Sequence, residues 1–180
     1  MNPSRKANVY LAGMIGVGKT TIGQELARVM GYPFYDFDWE LNKETGLDLH
    51  TLVREQGWLG FRVAEYTVIK RLAAVEGAVV GLGGGTVRYQ WNLDAMAGTG
   101  PIVLLTADLK VLAERVRVAD RPRVNPGTTL EEDLDLIWNN GRDLYLKAAT
   151  YTYRTDQGLT AEQEANELAA LVRGWTPDTA

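Results

Sequence analysis

The chain of 180 residues contains no cysteine and a single histidine, His50. The first absence excludes disulfides, thiolate metal sites and cysteine nucleophiles. The second argues against a multi-histidine metal centre and against a Ser-His-Asp triad. No apolar run approaches the about 18 residues that a membrane span needs, and the stretch Val9 to Leu11 behind the polar N-terminus is too short for a secretory segment. A surplus of positive charge is missing as well. Nineteen Lys and Arg stand against 23 Asp and Glu, a formal charge of −4, so the basic stripe of a nucleic-acid binder is not expected. These absences lead to a cytoplasmic protein that binds neither nucleic acid nor membrane. What is present is an ordinary globular mixture, 46% hydrophobic and 23% charged, in a length suited to one domain with its own core.

Short β-prone runs alternate with helical stripes along the whole chain. Strands are predicted at Asn8 to Ala12, Pro33 to Asp36, Ala78 to Leu82, Pro101 to Leu105 and Tyr151 to Thr155. Helical spacing covers Thr20 to Met30, with Gly31 as its stop, and a long stretch from about 38 to 75 that is interrupted at Gly46 and Gly57. Further helices are predicted at Asn92 to Ala97, Asp108 to Val116, Leu130 to Ala149 and Ala161 to Arg173. Such alternation predicts an α/β fold built on a mostly parallel sheet. The segment 117–129 differs: it holds Arg117, Arg121, Arg123 and two prolines without periodicity, and is expected to be a mobile loop. Residues 175–180 are expected to form a frayed tail.

The sharpest local signal is Gly13-Met14-Ile15-Gly16-Val17-Gly18-Lys19-Thr20, which matches G-x-x-x-x-G-K-[ST] between the first predicted strand and the first helix. Glycines let the backbone wrap closely enough for several N–H groups to face one anion, and the helix start adds its positive end. Lys19 would reach the β- and γ-phosphates and the Thr20 hydroxyl would hold Mg²⁺. Gly16, Val17, Gly18, Lys19, Thr20 and Thr21 are therefore the candidate nucleotide-binding residues. Asn42-Lys43-Glu44-Thr45 lacks the final Asp of a guanine-binding N-K-x-D, and no D-x-x-G occurs, which argues against a GTPase. A small phosphotransferase fits what remains.

Four features lie on the acceptor side. Asp36 and Asp38 follow the second strand, and alternation along an extended segment would aim both carboxylates the same way, one towards Mg²⁺ and one towards an attacking hydroxyl. The alternative is that they cap the next helix or shape the turn. Arg62 and Glu65 share a helical face at i and i+3, so Glu65 can hold the guanidinium while Arg62 clamps a carboxylate; a surface ion pair is the plainer option. Gly83-Gly84-Gly85 at a strand end suggests a backbone N–H surface for a ligand, or a tight connection. Arg121 and Arg123 suit a loop that closes over a triphosphate and excludes water.

Taken together, the phosphate loop, Asp36-Phe37-Asp38, Phe61-Arg62, Gly83-Gly84-Gly85, Arg121-Pro122 and Arg142-Asp143-Leu144-Tyr145 resemble the shikimate kinase family in order and spacing, from about residue 8 to 173. The resemblance implies a three-layer P-loop kinase fold, a five-stranded parallel sheet flanked by helices, with a lid near 117–129 and substrate-binding helices near 38–75. It implies ATP-dependent phosphorylation of the 3-hydroxyl of shikimate, on the route to chorismate and the aromatic amino acids, by a monomer. Asp38 resembles the carboxylate that binds the shikimate hydroxyls and serves as base. Arg62 and Arg142 resemble the pair that grips the shikimate carboxylate, and Gly84, with Gly83 and Gly85, the backbone donor to a ring hydroxyl. Thr20 resembles the Mg²⁺ ligand, Asp36 its water-linked partner, and Arg121 the lid arginine that acts with Lys19 on the phosphates. Two departures accompany these matches: Arg123-Val124 stands where the family usually has two apolar residues, and 156–159 lacks the basic residue and proline often found beside adenine.

Overall fold

The computed structural model describes residues 6–117, 125 and 127–177. Five strands run through them: β1 (Val9–Ala12), β2 (Phe34–Asp36), β3 (Val79–Gly81), β4 (Ile102–Thr106) and β5 (Tyr151–Arg154). They pair in the order β2-β3-β1-β4-β5, and every pairing is parallel. Parallel neighbours cannot be joined by a hairpin, so each connection crosses a face of the sheet, and the helical stretches supply those crossings. The helices are α1 (Lys19–Met30), α2 (Phe37–Thr45), α3 (Leu49–Ala73), α4 (Gln90–Met96), α5 (Leu109–Arg117), α6 (Leu130–Ala148) and α7 (Ala161–Val172). No helix among the described residues is long and apolar enough to cross a membrane.

Alternation along the strands sorts the core into two layers. Val9 and Leu11 of β1, Val79 of β3 and Val103 and Leu105 of β4 face a layer with Ile22 and Leu26 of α1, Leu112 of α5 and Leu168 of α7. Tyr10 and Ala12, Val80 and Leu104 face the opposite layer, with Phe37, Ile69, Leu72, Met96 and Tyr145. The central strands are apolar at consecutive positions because both of their faces are covered. This is the flanked five-stranded parallel sheet expected from the sequence.

Predicted and observed elements agree to within a few residues at their ends, with two instructive differences. The first corrects the extended placement of Asp38. The strand stops at Asp36, whose Oδ1 accepts the Asp38 N–H at 3.0 Å and so caps α2. Asp38 therefore lies in the first helical turn, not two residues along a strand, because a carboxylate at the strand end offers the backbone a cap. Secondly, the glycine run leads into a single 3-10 turn, Thr86–Arg88, that no periodicity announced. The expected interruption at Gly57 is present as a break in α3, where φ is 70° and ψ 177°.

The expected lid falls largely outside the described residues, and Arg121, Pro122, Arg123 and Val124 with it, as do residues 178–180 of the expected tail. At the borders of the lid segment Arg117 pairs with Glu131 at 2.7 Å, and Asn125 donates its backbone N–H and its Nδ2 to Asp133 at 2.8 and 2.7 Å.

At the other end of the sheet, fully buried Asn8 joins β1 to the α3–β3 connection. Its Nδ2 donates to the Val75 carbonyl at 2.8 Å and its Oδ1 accepts the Ala78 N–H at 2.9 Å. Truncation would leave both backbone groups without these partners inside the protein. Asn8→Ala is expected to lower unfolding free energy by about 2–3 kcal/mol in urea melts. Activity per folded molecule should stay unchanged, since the phosphate loop leaves β1 at the opposite end of the strand.

Candidate active site

The register of the sheet brings the predicted residues to one edge. Leu11 and Asp36 both align with Gly81, and Ala12 with Leu104, so the segments that leave β1, β2 and β3 emerge side by side. They are the phosphate loop, the start of α2 and the glycine run. Carboxyl ends of parallel strands, where the connections diverge, are the usual ligand site of such sheets.

The phosphate loop is shaped by its glycines. Gly13 and Gly16 have φ of 137° and 79°, and a Cβ at Gly13 would stand 2.5 Å from the Leu105 carbonyl oxygen, one at Gly16 2.6 Å from Val116. Neither position admits a side chain. The N-terminus of α1 that follows has no side-chain cap and no acidic residue in its first turn, leaving its N–H groups and positive end to an anion. The Lys19 ammonium lies over the loop, donating to the carbonyls of Gly13 at 2.8 Å and Met14 at 3.0 Å. Thr21 is exposed on the next position of the helix.

Thr20 reaches out of this loop. Its hydroxyl donates to Asp36 Oδ2 at 2.7 Å, while Asp36 Oδ1 holds the Asp38 N–H. One carboxylate thus links the phosphate loop to the turn that carries Asp38, which is itself exposed. The pair of Thr20 hydroxyl and Asp36 carboxylate are hard oxygen donors beside the phosphate loop, the donor chemistry that Mg²⁺ takes.

Arg62 and Glu65 form the expected i, i+3 pair at 2.7 Å, yet Glu65 is only 1% exposed, so this is no surface ion pair. Glu65 also accepts from Thr86 Oγ1 at 3.0 Å and Asn92 Nδ2 at 3.2 Å, which satisfies a charge that burial would otherwise penalise. The guanidinium lies beside the last glycine of the run: a Cβ on Gly85 would meet Nη2 at 3.8 Å. Gly83 lies against the Phe37 ring at the start of α2, and the Gly84 carbonyl accepts the Tyr145 hydroxyl of α6. Burial pushes the Tyr145 phenol above its ordinary pKa, a shift that the nearby positive charge of Arg88 opposes. Arg142 is exposed on α6, between Gly141, which packs on Tyr145, and Tyr145 itself.

Thr155, Thr86, Asn92 and the hydroxyl of Tyr145 carry no signal of their own in the sequence. Thr155 follows β5 and donates its hydroxyl to the Val17 carbonyl of the phosphate loop at 2.9 Å, while Arg115 donates to the Thr155 hydroxyl and carbonyl at 3.1 and 2.7 Å. Asp156 then accepts the Asp108 N–H at 2.8 Å and both ends of the Arg154 guanidinium, whose hydrogen bonds hold its carboxyl well below the usual range. Val17 and Thr155 are 138 residues apart, so no local pattern could have announced the contact.

A phosphate-binding loop on a parallel sheet, a hydroxyl–carboxylate pair at its side and a half-buried arginine beside the glycine run define a small-molecule phosphotransferase of the P-loop class. Comparison with known proteins narrows the class. Residues 15–172 match the family described as shikimate kinase. A shikimate kinase 1 of Escherichia coli (strain K12 / DH10B) is 35% identical over 170 residues, covering 94% of this chain and 98% of that protein. The structure of shikimate kinase from Acinetobacter baumannii in complex with shikimate is similar with a TM-score of 0.85, at 30% identity over 93% of each chain. That of the enzyme from Bacteroides thetaiotaomicron gives 0.82, at 28% identity over 93% of this chain and 98% of that one. The chain belongs to the shikimate kinase family.

The Thr155 contact yields a prediction independent of the acceptor. Thr155→Val keeps shape but removes the donor to Val17, leaving that carbonyl unpaired and the phosphate loop less fixed. KM for ATP is expected to rise about tenfold, with KM for the acceptor unchanged, in initial-rate assays.

Proposed function

We propose that the chain transfers the γ-phosphoryl group of Mg-ATP to the 3-hydroxyl of shikimate, the reaction of its family, as a cytoplasmic monomer that needs neither nucleic acid nor membrane. The observation that carries the reading is the Thr20–Asp36–Asp38 linkage, which sets the acceptor aspartate at a fixed place beside the phosphate loop.

The phosphate loop, from Gly16 to Thr21, binds the nucleotide phosphates through backbone N–H groups and the positive end of α1. Thr20 and Asp36 would hold Mg²⁺, which when bound neutralises phosphate charge. Lys19 offsets the charge that gathers on the transferring group, and Arg121, assigned on its sequence motif alone, does the same from the lid. Arg62 and Arg142 grip the acceptor carboxylate, and the backbone of Gly83 to Gly85 orients a ring hydroxyl. Asp38 takes the proton of the 3-hydroxyl as its oxygen forms the new bond to phosphorus. The bond from phosphorus to the β-bridging oxygen breaks, and ADP leaves. Positioning and charge neutralisation supply most of the acceleration in such in-line transfers.

ADP release from Mg-ATP, followed with shikimate and with gluconate as acceptors, tests the assignment. Shikimate-dependent turnover within about 1–1000 per second is expected, with none above background for gluconate. The reverse preference would sink the reading. Lys19→Met should lower kcat at least about 100-fold, since a charge aimed at the transition state is lost. Arg62→Gln should raise KM for shikimate by about 10- to 100-fold, the loss of a bidentate charged contact, and leave KM for ATP unchanged.

A further inference from the structure

Arg62 is restrained from more directions than an ion pair requires. In its own plane, Nη1 donates to Glu65, which Thr86 and Asn92 fix in turn. Tyr89 presents its ring to the guanidinium, the ring centre 4.2 Å from the guanidinium carbon. The rings of Phe61 and Trp58 stand farther off, at 4.6 and 5.7 Å. Tyr89 is backed by Trp91, the two rings 4.8 Å apart and inclined by 30°. Phe61 and Trp58 ride on the same helix as Arg62, whereas Tyr89 comes from the segment that continues the glycine run.

The geometry matters because a guanidinium recognises a carboxylate with two parallel N–H groups, and those must lie in the carboxylate's plane. A single bond from Nη1 to Glu65 leaves the group free to swing about that contact. A ring stacked on its face removes the swing, and it does so more effectively where water is partly excluded. The Arg62 side chain is only 20% exposed.

We infer that Tyr89 is a positioning residue of the acceptor site, stacked on Arg62 so that the guanidinium keeps the plane in which its remaining N–H donors meet the acceptor carboxylate. The inference rests on the reading of Arg62 as that carboxylate's clamp. Tyr89 touches no reacting atom in this scheme. Its segment carries three groups to the clamp, Thr86 and Asn92 onto Glu65 and Tyr89 onto Arg62, so the glycine backbone and the arginine are held as one unit.

The test compares shikimate with its methyl ester, which lacks the carboxylate charge, in the intact protein and in Tyr89→Leu, Tyr89→Phe, Arg62→Gln and the Tyr89→Leu/Arg62→Gln double variant. Tyr89→Leu should raise KM for shikimate about fivefold and shrink the preference for acid over ester by the same factor. KM for ATP should not move. Tyr89→Phe should restore both quantities, and Tyr89→Leu should add nothing once Arg62 is glutamine. Should Tyr89→Leu fail to yield folded protein by its melting curve, Tyr89→Met carries the same expectation. A leucine or methionine variant with the parent's ester discrimination overturns the inference, as does a loss of equal size with and without Arg62. If Arg62→Gln itself leaves shikimate KM and ester discrimination unchanged, the clamp reading fails first and the inference falls with it.

Discussion

The carboxylate of Asp36 is where the two halves of the site meet. One oxygen accepts the Thr20 hydroxyl from the phosphate loop, and the other caps α2 through the Asp38 N–H. Asp36 is also the last residue of β2, aligned with Gly81 of β3, so its place in the sheet fixes where the glycine run departs. At 9% exposure the charge has little water to rely on, and these hydrogen bonds take its place. Parallel pairing therefore sets a register, the register sets one carboxylate, and that carboxylate ties the phosphate loop to the start of α2 that carries Asp38. In-line phosphoryl transfer depends on that relation above all.

The two halves are built differently. The phosphate loop is a local structure, closed by residues within one short segment and by the helix that follows it, although Thr155 steadies it from the far side of the sheet. The side proposed for the acceptor has no such autonomy. Arg62 comes from α3, Gly84 from the end of β3, Tyr145 and Arg142 from α6, and Glu65 gathers donors from two further segments. A buried carboxylate that accepts three such bonds holds these elements together because leaving any donor unpaired in the interior is costly.

Much of the site is legible in the amino-acid sequence. The P-loop match marks Gly16 to Thr20 because its spacing is dictated by anion geometry, and the i, i+3 rule pairs Arg62 with Glu65 because helix geometry is fixed. Asp36 and Asp38 are legible as residues but not in conformation: alternation assumes a strand where the carboxylate of Asp36 has already begun a helix. Thr86, Tyr89 and Asn92 carry no comparable signal. They lie in a single 3-10 turn and the start of a short helix, where neither period has room to show.

By itself, then, the sequence determined the local pieces of this protein: strands with both faces apolar, helices with caps, the glycine geometry of the phosphate loop and the identity of its candidate ligands. Those depend on neighbours within a few residues, whose spacing the chain carries directly. The tertiary structure alone decided the strand order β2-β3-β1-β4-β5, the burial of Glu65, the bond from Thr20 to Asp36 and the stacking of Tyr89 on Arg62. Each of these joins segments that meet only after the sheet has formed, and their partners are selected by packing and by the need to satisfy buried polar groups, neither of which has a period along the chain.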